Sequence, residues 1–492
     1  MTIYEISREN NPFRAGAAHL PATLVDVLRA QVQLRPDAEA VVELGGGRMT
    51  YRQLWDAAAR VAGGLVADGV QPGDRVAVRH PAGLDWVLAF WGTIMAGGIV
   101  VAVNTRSAQP EVDFVLSDAG VARDLAPDCP LPDGEPYVAE GLSATDVAAL
   151  FYTSGTTGKP KGVPTTHEAF VVNAENAVRC TGVEEGMRTL ISVPLFHVTG
   201  CNTQLLVAAY VGGTAVIMPV LSVPELVGVI AAEQISFMVT VPAVYALMLR
   251  HPDFPGADVS SVRRVGYGGA PIAVTLVQAL KAAFPAAQVF NGYGMTETAS
   301  LMTVLPDSDA VDHADSVGYA VPSVQLGICA DGGDPHVGEL VARGTNVVTR
   351  YWNRPEADTA TFVDGWLHTG DVVRVDGAGR IHIIDRMKDI IIRGGENISS
   401  IEVESALADA PGVLEAAVLA VPDEVMGEKV GAVLCGPAID VDDVLEHCRA
   451  RLADYKVPQY VSISAAPLPR NPGGKLLKGR LREIVQWGAP LR

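Results

Sequence analysis

The chain has 492 residues, 49% of them hydrophobic and 19% charged, with a formal net charge of −19. The length calls for two to four domains or subdomains, the composition excludes extensive disorder, and the acidic balance excludes a nucleic-acid partner, which needs a basic face. Six scattered cysteines without a CxxC pair suit reduced thiols in a cytoplasmic protein, and the N-terminus MTIYEISRENNPFR has no apolar core of a signal peptide.

In chain order, the first third alternates strand and helix. EAVVELGGGRMTY reads as a short strand pair around GGG, LWDAAARVAGGLVADG as an amphipathic helix, DRVAVRH as a strand, LDWVLAFWGTIMAGG as a helix and IVVAVN as a strand. Such alternation predicts a layered α/β fold with parallel pairing. DLAPDCPLPDGEPYVAEGLSATD, which follows, reads as a loop. VAALFY (147–152) is a continuous apolar run, a buried strand feeding a glycine loop. RRVGYGG (263–269) and QVFNGYG (288–294) also end in glycine turns, so three strand ends are expected to converge on one cleft. No charge occurs from Thr189 to Pro224, but Pro194, His197, Asn202, Gln204, Gly212–Gly213 and Pro219 interrupt the stretch. No clean membrane span survives, and buried helix and strand around a pocket is the reading. After about residue 380 a compact α+β unit of ordinary domain size follows: helix ISSIEVESALADA, strands EAAVLAVPD and KVGAVLCG, helix VDDVLEHCRARLA and a basic C-terminal stretch.

YTSGTTGKPKGV (152–163) carries hydroxyls, glycines and two lysines, the material of a phosphate cradle. It is not the GxxxxGK[ST] loop: Gly155 and Gly158 are too close, and Pro160 after Lys159 disfavours a helix there. The segment predicts a loop that wraps phosphates and releases them. NGYGMTE (291–297) supplies an aromatic for stacking, glycines for close approach, Thr296 for a phosphate and Glu297 for a metal such as Mg²⁺, which prefers one or two protein oxygens plus phosphate oxygens. HTGD (368–371) puts a carboxylate after a glycine turn, suited to ribose hydroxyls; DRMKD (385–389) mixes charges; Lys475 follows a Pro-Gly-Gly turn.

Together, YTSGTTGKPKGV, PLFHVTG, YGGAP, NGYGMTE, GWLHTGD, DRMKDIIIRGGENIS and the Gly-Gly-Lys ending at Lys475 resemble the adenylate-forming superfamily of acyl-CoA synthetases, peptide-synthetase adenylation domains and firefly-type luciferases, in that family's order and over nearly the whole chain. The resemblance is strongest to fatty-acid-type acyl-CoA ligases. It implies a large N-terminal AMP-binding domain (1–385) of layered α/β subdomains, a hinge (386–388) and a small mobile α+β domain (389–492). It implies two steps with ATP, Mg²⁺ and coenzyme A: a carboxylate attacks the α-phosphorus to give acyl-AMP and pyrophosphate, then a thiol expels AMP.

Carried over residue by residue, Thr153, Ser154, Gly155, Thr156, Thr157, Gly158, Lys159 and Lys161 would hold the phosphates. Tyr293 would stack on adenine among Gly269, Ala270, Asn291, Gly292 and Gly294. Thr296 would bind the α-phosphate, and Glu297 with Thr153 would hold Mg²⁺. Asp371, assisted by Arg386, would bind the ribose, and Lys475 would bridge acid and α-phosphate. Lys388 matches the hinge, Gly394 and Gly395 the loop lining the pantetheine tunnel, and His197 the residue beside the acyl pocket.

Between Asn104 and the phosphate loop the chain is shorter than the family pattern, which implies a trimmed strand–helix unit and bears on a family homodimer surface but not on the ATP site. The acyl-pocket segments 196–202, 241–249, 266–271 and 294–302 carry no charge except Glu297, which favours an apolar acid: aliphatic, alicyclic or aryl. Two alternatives stay open, an adenylating enzyme that loads a carrier protein or stops at acyl-AMP, and a non-catalytic nucleotide-binding protein. The presence of Lys475, Glu297 and Asp371 speaks against the second.

Overall fold

Short apolar runs that are buried from end to end, such as Phe237–Thr240 and Thr214–Ile217, are those of interior strands of a sheet covered on both faces. In the computed structural model, which describes residues 2–13, 20–153, 160–270, 272–330, 334–393, 396–470 and 476–491, they are so placed. By its contacts the chain divides into two units. The larger comprises Ile6–Leu326 and Val341–His368; the smaller comprises Met1–Glu5, Gly327–Leu340 and Thr369–Arg492. The expected hinge at 386–388 falls inside the smaller unit.

The larger unit holds two sheets. In the nine-stranded one, Gln288–Tyr293, Arg264–Gly268, Phe237–Thr240, Arg188–Ile191, Thr214–Ile217 and Glu39–Glu43 run parallel in that spatial order, with antiparallel strands at both edges. Its core includes a hydrophobic cluster around Leu226, Ile230, Tyr245, Met248 and Leu280. The five-stranded sheet is ordered Val121–Leu125, Arg75–Val78, Ile99–Ala102, Val147–Thr153, Lys161–Thr166, parallel except for the last pair. The amphipathic helix of the sequence reading is Tyr51–Ala67, started by a capping box between Thr50 and Gln53. The uncharged stretch resolves into strand Arg188–Ile191, a wide π turn Cys201–Leu205, helix Leu206–Val211 and strand Thr214–Ile217. Among the described residues no helix is long and apolar enough to cross a membrane.

Residues 126–146 have no regular structure, as expected of the shortened segment. They are nevertheless fixed, because they strap helix Tyr51–Ala67. Gly134 N–H and Tyr137 N–H donate to the Arg60 and Ala59 carbonyls at 3.0 and 2.9 Å, and the Arg60 guanidinium grips Asp133 at 2.7 and 2.5 Å. A Cβ at Gly63 would lie 1.8 Å from the Glu135 carbonyl oxygen, and one at Gly64 2.5 Å from Asp133 N. Two glycines inside a helix cost about 1 kcal/mol each relative to alanine; here they open the notch the strap needs.

In the smaller unit, strands Glu415–Asp423 and Gly427–Cys435 form a long antiparallel pair, flanked by Tyr460–Ser464 and the hairpin Ile391–Arg393/Glu396–Ile398. Helices Ser400–Ala408 and Val441–Arg449 close a core of Ile391, Val403, Leu407, Val418, Leu434 and Val444. The same unit carries strand Ile381–Arg386, paired antiparallel with residues 371–375.

Candidate active site

The phosphate-cradle motif begins and ends on two paired strands. Val147–Thr153 and Lys161–Thr166 pair antiparallel, with Thr153 opposite Lys161. Ser154–Lys159 lie outside the described residues. This connection explains Pro160: the chain returns as a strand, where a missing N–H at the entry is tolerated, and starts no helix. The Lys161 ammonium lies 4.5 Å from the centre of the Tyr351 ring, and Trp352 N–H donates to the Gly162 carbonyl at 2.8 Å. The segment ending in YWNRP is therefore laid along the return strand.

The second motif begins where strands Arg264–Gly268 and Gln288–Tyr293 end side by side, with Tyr267 opposite Asn291 and Gly268 opposite Gly292. Gly269 and Ala270 follow the first strand; Gly294 and Met295 follow the second. The loop after Tyr293 folds back on itself: Met302 N–H donates to Tyr293 O at 2.9 Å and Ser300 N–H to Met295 O at 3.2 Å. Ser300 O lies 1.6 Å from where a Gly294 Cβ would be, so only glycine fits at 294. Within this loop Glu297 is buried to 7% exposure. Its Oε1 accepts from the Tyr351 hydroxyl at 2.8 Å, and its carbonyl from Val348 N–H at 2.8 Å. No partner of Oε2 occurs among the described residues, which leaves that oxygen for a ligand. Burial, then the adjacent carboxylate, pushes the Tyr351 phenol up, so it stays a donor. Tyr351→Phe should remove about 1.5–3 kcal/mol of charge-assisted bonding. We expect pyrophosphate release at limiting ATP to fall about ten- to a hundredfold, read from initial rates.

The turn after Glu297 is strained: Ala299 has φ 53° and Ser300 φ 121°. Each costs on the order of 1–3 kcal/mol unless the surroundings impose it. Asn202 Nδ2 donates to Ala299 O at 2.8 Å, Asn346 Nδ2 to Thr298 O and Leu301 O at 2.8 and 3.0 Å, and Leu301 N–H donates to Asn173 Oδ1 at 3.0 Å. Sequence reasoning missed Tyr351 and these three asparagines.

His197 is half-buried beside the Phe196 ring, with centroids 5.1 Å apart. Burial pulls its imidazole down to about 4, so it is neutral at physiological pH and suited to packing more than to proton donation.

In the smaller unit, Asp371 and Arg386 face each other across paired strands, and Arg386 Nε meets Asp371 Oδ1 at 2.5 Å. Asp371 is buried and its N–H donates to Thr369 Oγ1 at 3.2 Å. Lys388 occupies the turn after this strand, where Asp389 N–H donates to Arg386 O at 2.9 Å. Across that turn Ser399 Oγ donates to Ile384 O at 2.5 Å, and Ser400 N–H donates to the buried Asp385 carboxylate. The expected site residues thus fall on both units: Thr153, Lys161, His197, Gly269, Ala270, Asn291–Gly294, Thr296 and Glu297 on the larger, Asp371, Arg386 and Lys388 on the smaller. Gly394, Gly395 and Lys475 lie outside the described residues.

Lys161, at the start of the return strand, lies against Tyr351, which holds the buried Glu297 carboxylate of the closed glycine loop, an arrangement suited to a nucleotide polyphosphate. The chain matches the AMP-binding enzyme family over residues 28–128 and 122–352 and that family's C-terminal domain over 402–475. It is 36% identical over 500 residues to long-chain-fatty-acid–CoA ligase FadD13 of Mycobacterium tuberculosis, covering 94% of this chain and 99% of that protein. It is also 36% identical over 484 residues to feruloyl-CoA synthase of an Amycolatopsis species, covering 92% and 97%. Among solved structures, o-succinylbenzoate CoA synthetase from Bacillus subtilis with its acyl-adenylate intermediate superposes with a TM-score of 0.84 at 29% identity, covering 96% of this chain and 100% of that one. The chain therefore belongs to the AMP-binding enzyme family. Within it the chain has the activity of an AMP-forming acyl-CoA synthetase, an ATP-dependent ligase that works through an acyl-adenylate.

Proposed function

We propose that this enzyme activates a carboxylic acid with an uncharged tail, aliphatic, alicyclic or aryl, and passes the acyl group to coenzyme A in the cytoplasm. One observation carries the acid class. The only charge in the pocket segments is Glu297, and its carboxylate is already held by Tyr351 beside Lys161, on the phosphate side. Nothing charged is left in those segments to anchor an amine or a second carboxylate. The relatives named for long-chain fatty acids and for ferulate support an apolar acid, and six free thiols support a reducing compartment.

In this reading Thr153, Lys161 and the loop between them hold the β- and γ-phosphates, Thr296 the α-phosphate, Tyr293 the adenine, and Asp371 with Arg386 the ribose. Glu297 Oε2 and the Thr153 hydroxyl are the hard oxygen donors that Mg²⁺ needs, and the free Oε2 fits that role. When bound, Mg²⁺ would neutralise phosphate charge. The acid oxygen bonds to the α-phosphorus as the bond to the pyrophosphate oxygen breaks. The coenzyme A thiolate then bonds to the acyl carbon as the bond to AMP breaks. Rotation about Lys388 between the steps would have to part Ile384 from Ser399 and Asp385 from Ser400.

The test is AMP release with and without coenzyme A across acids of graded length and aromaticity, with malonate and amino acids included. We expect coenzyme A-dependent turnover of octanoate-like or aryl acids at least about a hundredfold above malonate, a polar-mismatch penalty of the size seen when buried groups are left unpaired. Efficient malonate or amino-acid turnover with apolar acids inert would sink the acid class. Pyrophosphate release without thioester would favour a carrier-protein acceptor.

A further inference from the structure

The three asparagines that hold the nucleotide loop are not equivalent. Asn173 is bonded at both ends of its amide, accepting from Leu301 N–H at 3.0 Å and donating to Asn202 O at 3.3 Å. Asn346 donates to two carbonyls of the loop and accepts from the Ser323 hydroxyl at 2.6 Å. Asn202 is bonded at one end only. Its Nδ2 donates to Ala299 O, while its Oδ1 is buried and has no partner among the described residues. A buried amide oxygen left bare is costly and uncommon, so it needs a reason.

The position of Asn202 supplies one. Asn202 and Thr203 stand on the π turn Cys201–Leu205, which begins inside residues 196–202, the segment read as acid pocket, and runs just past its end. Such turns recur at functional sites. From this turn Asn202 restrains Ala299 and the Thr203 hydroxyl meets the Ser300 hydroxyl at 2.6 Å. Ala299 and Ser300 are the two positive-φ non-glycine residues of this loop, the ones that cannot hold their conformation without outside restraint. Part of the geometry of the loop presenting Thr296 and Glu297 is therefore anchored at the end of the segment read as acid pocket.

We propose that Asn202 and Thr203 are positioning residues that couple the acid site to the nucleotide site. Filling the acid pocket settles the π turn, and the π turn settles the loop through Ala299 and Ser300. The enzyme then binds ATP best when the acid is present, which guards the nucleotide against unproductive binding. The inference rests on the reading of residues 196–202 as acid pocket.

The experiment measures the dissociation constant of α,β-methylene-ATP with Mg²⁺ by calorimetry, without acid and with saturating octanoate or cinnamate. In the wild type the acid should tighten the nucleotide at least about fivefold, within the usual range of site–site coupling. In Asn202→Leu and in the near-isosteric Thr203→Val the ratio should fall below about twofold. Tyr351→Phe, which loosens Glu297 without touching the π turn, should weaken nucleotide binding but keep the ratio. A wild-type ratio near one overturns the coupling, and a full ratio in either folded variant overturns the role of that residue. Thr203→Val keeps the test open should Asn202→Leu not fold. A wild type that releases no pyrophosphate with any acid of the screen would instead overturn the underlying function, a result visible before any variant is made.

Discussion

Lys475→Ala is expected to release pyrophosphate from ATP and acid about 10²–10³-fold more slowly than the wild type, yet to convert supplied acyl-AMP and coenzyme A to thioester at close to the wild-type rate. Negative charge builds up between the attacking carboxylate and the α-phosphate only during adenylation. A preorganised ammonium there is worth on the order of 3–4 kcal/mol. In thioester formation the charge brought in by the thiolate passes through the acyl oxygen to the departing AMP oxygen, so no charge develops between a carboxylate and the α-phosphate for that ammonium to offset. The counterpart variants act on the other half-reaction. If Gly395 lines the path of coenzyme A as proposed, Gly395→Leu should obstruct it, and Lys388→Pro should stiffen the turn about which the small domain would rotate. Both should release pyrophosphate in a first turnover and stall before the thioester. Separate assays of the two half-reactions decide the matter. Equal loss of both in Lys475→Ala, or a hinge variant that fails first at adenylation, would overturn the two-conformation reading.

The parts of this molecule that local chemistry determines were legible in the sequence. Alternating strand and helix marks the α/β layers, and Pro160 rules out a helix after the phosphate motif, in keeping with the return strand Lys161–Thr166. After residue 400 periodicity marks the helix–strand–strand–helix run through Arg449, but not strand Tyr460–Ser464 or helix Lys478–Ile484, which lie in what reads only as a basic C-terminal stretch. What the sequence hid depends on partners far apart in the chain. Tyr351 meets Glu297 across 54 positions, and Asn173 meets Leu301 across 128. No periodicity marks such residues, because each is a single polar group defined by what lies opposite it. The expected convergence of three glycine-ended strands also needed refinement. Two of them are neighbours in the nine-stranded sheet, while Val147–Thr153 belongs to the other sheet. They are linked through the hairpin by Lys161, Tyr351 and Glu297 rather than as one row of strands. The Gly63–Gly64 pair carried no signal either, since its purpose is a strap more than 65 residues later.

Glu297→Gln is expected to lose pyrophosphate release by about a hundredfold or more at sub-saturating Mg²⁺, with partial recovery as Mg²⁺ is raised, because a neutral amide oxygen is a far weaker ligand for a hard cation than a carboxylate. The fold should not suffer. The amide oxygen can still accept the Tyr351 hydroxyl, and Val348 N–H bonds the backbone carbonyl, which the substitution leaves alone. Stability should even rise. Among the described residues one neutral hydroxyl holds this carboxylate at 7% exposure, which compensates its lost hydration poorly, and an amide of the same shape escapes that cost. The expected signature is therefore a large loss of activity with an equal or higher thermal midpoint in the absence of ligands. Tyr351→Phe should give the opposite pairing, a smaller loss of activity with a lower midpoint, because it strips the carboxylate of its donor and keeps the charge. The two variants together separate a ligand from a structural acid. If Glu297→Gln turns over like the wild type at low Mg²⁺, or melts several degrees lower, then Glu297 serves the fold and the metal must be held elsewhere.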